Sequence, residues 1–236
     1  MKTISFLLLI IAGFLCSTQL AEAHAVWIES AAGGTKAKPH PVRIYYGEYE
    51  AKVYEKTADW YSDLREMEVY LLRPDQSKVK LTLTDKGEYL ETTFTPDQAG
   101  VYLISASHAT KDLGETTRYE FTSQVAVSVG TEAGVKQGVL PYQLFVLPVK
   151  HSKGSKVDIL LTKDGRPLAG QDIVVMSPEG WTKTYQSDAQ GRISTDVLWK
   201  GVYVAEFGHS TEVKGTWHGQ PYTQNWQGLT TSFEVE

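Results

Sequence analysis

Turn residues punctuate this chain at strand-like intervals almost from end to end, and sustained 3.6-residue apolar periodicity is scarce. A chain patterned in this way offers few amphipathic helix faces and is directed towards sheets. Residues 42–46, 67–72, 78–83, 89–94, 101–106 and 121–129 read as strands, several of them alternating apolar with polar side chains. Between them, Arg73-Pro74-Asp75, Asp85-Lys86-Gly87 and Pro96-Asp97-Gln98-Ala99-Gly100 supply turn chemistry. Only residues 52–65 carry a helix-like pattern.

Residues 130–138 are rich in glycine and have no core pattern, which marks a connection between domains. The strand-and-turn grammar then restarts. Residues 156–161, 171–176, 193–198, 201–207 and 229–235 read as strands, with turns at 163–170 and at Ser187-Asp188-Ala189-Gln190-Gly191-Arg192. The expected fold class is all-β, with two β-sandwich domains in tandem of the Ig-like or transthyretin-like kind. The expected boundaries are a leader at 1–23, a first sandwich at 24–130, a linker at 131–140 and a second sandwich at 141–236. The order of turns and strands in the second half resembles a transthyretin-like or carboxypeptidase-regulatory-like module.

The leader has the anatomy of a secretory signal. Lys2 supplies positive charge, residues 6–15 form a short apolar run, and Ala21-Glu22-Ala23 places small residues where a signal peptidase reads. The apolar run is too short to span a bilayer. Cleavage after Ala23 makes His24 the first residue of a 213-residue chain, and the expected location is the periplasm. A lipoprotein signal at Cys16 would want a small residue before it, and that residue is Leu15. Cys16 is the only cysteine, so the processed chain has no disulfide and no thiolate metal site. The net charge of −5 is unchanged by cleavage, because Lys2 and Glu22 leave together. A field of that sign does not draw nucleic acid, and no later segment approaches the length of a membrane helix.

The sequence shows no nucleotide-binding glycine loop, no nucleophile elbow and no close histidine pair, so an enzyme is not expected. His24 is the feature that carries chemistry. A histidine at a free N-terminus offers its α-amine and its imidazole Nδ1 together, closing a six-membered chelate ring on one ion. An α-amine has a pKa of about 7.7–8.0, so a divalent metal can displace its proton near neutral pH. Nitrogen donors of this kind suit copper, nickel, cobalt and zinc. The ring needs a partner from elsewhere. His209, after the strand at 202–207, is the preferred second ligand, with His108 and His218 behind it, and Glu29 and Glu48 are the candidate oxygen donors or supporting carboxylates. His40 and His151 read as loop and surface residues. The 6 Trp, 13 Tyr and 7 Phe admit a second reading, an adhesion or carbohydrate- or protein-binding sandwich in which His24 is incidental. A copper-dependent polysaccharide oxidase would share His24 but needs an aligned second histidine and a flat substrate face, for which no pattern is seen.

The start His24-Ala25-Val26-Trp27-Ile28-Glu29 directly after the cleavage site, the strand ending in Gly47-Glu48, the Gly165-Arg166-Pro167-Leu168-Ala169-Gly170 and Asp188-Ala189-Gln190-Gly191-Arg192 turns, and the closing Thr230-Thr231-Ser232-Phe233 strand form a set. That set resembles the bacterial periplasmic nickel or cobalt uptake accessory family, over nearly all of the processed chain. The resemblance implies a non-enzymatic periplasmic protein that binds nickel, cobalt or copper and hands it to an inner- or outer-membrane transporter or holds it. It implies His24 as a ligand, with Trp27 and Glu29 shaping its surroundings.

Overall fold

The computed structural model describes residues 24–130 and 138–236. The expected leader and residues 131–137 of the expected linker lie outside them. In chain order the strands of the first half are β1 (Ala25–Glu29), β2 (Gly33–Gly34), β3 (His40–Glu48), β4 (Val53–Tyr54), β5 (Glu68–Leu72), β6 (Lys78–Leu81), β7 (Thr84–Asp85), β8 (Leu90–Phe94), β9 (Gly100–Ala109) and β10 (Thr117–Val129). Those of the second half are β11 (Tyr142–Val146), β12 (Lys156–Lys163), β13 (Arg166–Pro167), β14 (Asp172–Met176), β15 (Thr182–Gln186), β16 (Arg192–Asp196), β17 (Gly201–Trp217) and β18 (Gln220–Val235). The all-β sandwich expectation is met.

Alternation does the work strand by strand. In β3, His40, Val42, Ile44 and Tyr46 are buried while Pro41 and Arg43 face out, as a half-buried pleat requires. The Asp188 turn is built as its residues suggest, with the amides of Gln190 and Arg192 donating to Asp188 Oδ1 at 2.9 and 2.8 Å. Residues 52–65 depart from the helical expectation. They hold two 3-10 turns, Thr57–Asp59 and Leu64–Glu66. Trp60, Leu64 and Met67 recur at helical spacing and are buried, but Trp60 is extended and Ser62 sits at φ 56°, which ends any continuous helix.

The strands form three sheets. A five-stranded sheet runs β1-β3-β8-β7, with β4 on β3, and a four-stranded sheet groups β11, β12, β13 and β16. The third sheet has nine strands and belongs to both halves, in the order β15-β14-β17-β18-β10-β9-β5-β6, with β2 on β10. Its two parts join where β10 and β18 pair in parallel from Thr117↔Gln224 to Ser123↔Thr230. One core packs the first part against the five-stranded sheet, around Ile28, Ile44, Leu64, Tyr102 and Ile104. The other packs the second part against the four-stranded sheet, around Leu144, Ile159, Leu161, Tyr203 and Phe207. The expected linker therefore separates two cores that share a sheet.

Strand β1 is seated where the halves meet. Trp27 is fully buried against Tyr49, Met176 and Val204. Hydroxyls from β10 and β18 bond the β1 main chain: the Ile28 amide donates to Ser123 Oγ at 3.1 Å, Thr230 Oγ1 donates to the Val26 carbonyl at 2.6 Å, and Ser232 Oγ donates to the Ile28 carbonyl. These three buried main-chain groups are thus satisfied by side chains where no ladder partner exists.

Candidate metal site at the start of the first strand

Register places the candidate residues. Strand β1 pairs antiparallel with β3, Ala25 opposite Gly47, so His24 falls beside Glu48 one step further along. Strand β4 then folds back onto the other edge of β3, with Gly47 opposite Tyr54 and Glu48 opposite Val53. Gly47 permits that return. It sits at φ 149°, and a Cβ there would lie 2.1 Å from the Val53 carbonyl oxygen, so only glycine lets the two backbones close. The return delivers Glu55 to the far side of the histidine.

His24 consequently stands between two carboxylates. Its Nδ1 lies 3.3 Å from Glu48 Oε1, and its Nε2 lies 3.3 Å from Glu55 Oε1. Side-chain exposure is 28% for His24, 16% for Glu48 and 30% for Glu55, which leaves the ring reachable from solvent. The Tyr46 ring backs the imidazole at 5.2 Å between centroids. Burial, reinforced by the negative charge of Glu55, pushes the Tyr46 hydroxyl far above its ordinary pKa, so it remains a neutral phenol. The contact with Glu55 is a hydrogen bond. That with Glu48 is not, and Glu48 Oε1 is a buried carboxylate oxygen with no hydrogen-bond partner. Such an oxygen is costly to leave bare and favours a cation.

The other sequence candidates are dispersed. Glu29 sits at the opposite end of β1, where it accepts from Trp27 Nε1 at 3.0 Å and is paired in register with Arg43. Burial raises its pKa above the usual carboxylate range. His108 is bound to Asp63, Nε2 to Oδ1 at 2.9 Å. His209 is on β17, opposite Gln227, with its ring against Tyr142 at 5.4 Å and Phe207 at 6.1 Å. His218 is exposed at the β17–β18 turn, against Trp217. His40 is buried and shares a 2.8 Å hydrogen bond with Ser30. Of the candidates, the fold brings His24 and Glu48 together and adds Glu55, which sequence reasoning missed. Among the described residues, no three or more His, Cys, Asp or Glu side chains form a group that could hold a metal by themselves. Any ion at His24 therefore needs a donor besides these side chains.

The aromatic residues at the front of the chain are largely consumed by packing. Trp27 stacks on Tyr45 at 5.6 Å and meets Tyr49 and Tyr54 edge-on at 5.4 and 5.3 Å. A cleft of about 740 Å³ lined by Ala32, Gly33, Pro148, Val149 and Lys150 lies apart from His24.

Fold and site together define an all-β sandwich protein with a half-open histidine–carboxylate site at the start of its first strand. The chain belongs to the family described as domain of unknown function DUF4198, which matches residues 21–211. No curated protein matches it. Among solved structures it is similar to a DUF4785 family protein from Legionella pneumophila, at 14% identity and TM-score 0.32, covering 85% of this chain and 54% of that one. It is also similar to trypsin-activated alpha-2-macroglobulin from Escherichia coli, at 10% identity and TM-score 0.29, covering 88% and 16%. A third similar structure is a Ca2+-stabilized adhesin of an Antarctic bacterium that binds ice, at 14% identity and TM-score 0.26, covering 90% and 49%. The chain spans about half the length of the first and third of these, and less of the second. Among the described residues, no helix is long and apolar enough to cross a membrane.

Proposed function

We propose that the chain, processed to begin at His24, is a non-catalytic periplasmic protein that binds a divalent transition metal, nickel, cobalt or copper, and supports its uptake or handling. The observation that supports this reading is the 3.3 Å approach of His24 Nδ1 to the buried Glu48 Oε1, an oxygen without a hydrogen-bond partner. Metal–nitrogen and metal–oxygen bonds of about 2.0–2.2 Å, set at roughly 100–110° to each other, hold their two donor atoms about 3.2–3.4 Å apart. The observed spacing fits two donors of one ion. The α-amine of His24 supplies the third donor and closes the chelate ring, which accounts for a site whose side chains alone are too few. Nitrogen and oxygen donors without sulfur suit the divalent ions of this series. Partial exposure of the ring suits a carrier, since a partner's ligands can reach the ion and exchange it. Delivery to a membrane transporter follows from that openness and from the uptake-family resemblance.

The test is calorimetric titration of nickel and copper into two proteins, one beginning at His24 and one carrying an extra Ala before it. The extension turns the amine into an amide and leaves the side chains in place. Tight binding by the first alone supports the reading. Equal binding by both, or by neither, overturns it in favour of an adhesion-type sandwich.

A further inference from the structure

Glu55 has a main chain pinned on both sides. Its amide donates to the Tyr46 carbonyl at 2.9 Å, and its carbonyl accepts from Trp60 Nε1 at 3.1 Å. Trp60 is itself buried in the first core, so the carboxylate of Glu55 rises from a fixed base. That carboxylate meets His24 Nε2 in a hydrogen bond of 3.3 Å. A neutral imidazole has one proton to place. The contact to Glu48 is equally long but is not a hydrogen bond, and Glu48 Oε1 has no partner. The proton therefore belongs on Nε2, towards Glu55. The Nδ1 lone pair is then turned towards the bare oxygen of Glu48, two acceptors facing each other with room for a cation between them.

We propose that Glu55 is a positioning residue: it holds His24 as the Nε2–H tautomer and so presents Nδ1 to the metal. The metal part of this inference rests on the proposed function. The tautomer part does not. Carboxylates that accept the second N–H of a ligating histidine fix its ring and raise its basicity, and their loss costs about 10–100-fold in metal affinity.

Two measurements test it on the processed protein. Long-range nitrogen–proton NMR of the metal-free protein at pH 8 should show His24 protonated on Nε2 in the wild type and in Glu55→Gln, which keeps an acceptor oxygen. In Glu55→Ala the Nδ1–H form should become populated. Metal titration should then show Glu55→Ala weaker by about 10–100-fold, with Glu55→Gln closer to wild type. The hydrogen bonds to Tyr46 and Trp60 use main-chain atoms of Glu55 and survive both substitutions. A wild-type His24 protonated on Nδ1, or a Glu55→Ala protein that binds like wild type, overturns the proposal, and the wild-type spectrum decides the tautomer even where a variant fails to fold. If no metal binds the wild type while His24 is Nε2–H, the metal reading fails and Glu55 remains the residue that orients His24.

Discussion

His24 stands at the start of β1 between the carboxylates of Glu48 and Glu55, whereas His209, within β17, stands between the rings of Tyr142 and Phe207. One precedes a strand and the other lies inside one, and the sequence offers both as ligands. The difference lies in what the neighbouring strands bring. Strands β3 and β4 bring two anionic groups to the first histidine, while β11 and β17 bring apolar ring faces to the second. Strand β17 also carries an acid, Glu206, whose nearest registered neighbours are Val174 and Thr230. That acid has a like charge for company, Glu50, and no histidine partner. An ionisable residue becomes a site when its cross-strand neighbours complement it, and a liability when they do not.

The comparison can be broken most decisively at the amine. Adding Ala before His24 should weaken nickel or copper binding by about a hundredfold or more, because the chelate needs a deprotonated amine; the same titration on a His209→Ala protein should match wild type. A hundredfold loss on removing His209 would place it in the site and end the contrast.

Glu206 gives the next largest effect, on stability. Burial first, then the Glu50 charge, lifts its pKa from 4.5 to about 7 in the folded chain. Between those values the folded state holds a proton that the unfolded state has released. Its contribution to stability therefore falls as pH rises from about 4.5 to about 7, and stays low above that. Glu206→Gln should stabilise the protein at pH 8 by on the order of 1–3 kcal/mol and change little at pH 4, as read by urea unfolding at both values. An equal effect at the two pH values would show that Glu206 ionises normally.

Glu48→Gln should weaken metal binding by about tenfold, since an amide oxygen is a poorer donor than a carboxylate. Affinity unchanged in this variant would leave the buried oxygen without a role in holding the ion. The smallest expected effect is on the aromatic side. Replacing His209 by Ala should cost about 1 kcal/mol of stability through lost ring packing, measured by thermal unfolding, with no change in metal affinity.

Strands, turns and the inward sides of β3 and β12 were legible because a period of two and Asp–Gly turns are local signals. His24 with Glu48 was partly legible, since each closes or opens a strand and the strands are near neighbours in sequence. Glu55 was not. It arrives through a two-residue strand after Lys52 at φ 58°, within a stretch whose buried Trp60, Leu64 and Met67 imitate helical spacing. The shared sheet was equally hidden, because the parallel pairing of β10 with β18 joins residues 107 apart, as in Ser123 and Thr230, and leaves no local pattern. Of the rings around His209, Phe207 is two residues away on the same strand, but Tyr142 comes from β11, well before it in the chain, and leaves no signal near residue 209.

The hydroxyl clasp on β1 has a consequence for the order in which the protein is made. Val26 is bonded to Thr230, 204 residues later in the chain, and Ile28 to Ser232, equally far away. The strand that bears His24 is among the first to leave the ribosome, yet its seat is complete only when the last described strand arrives. Contacts of such sequence separation form late and slowly. The end of the chain that bears His24 is thus made early and fastened late, so the setting of that histidine is complete only in the whole fold.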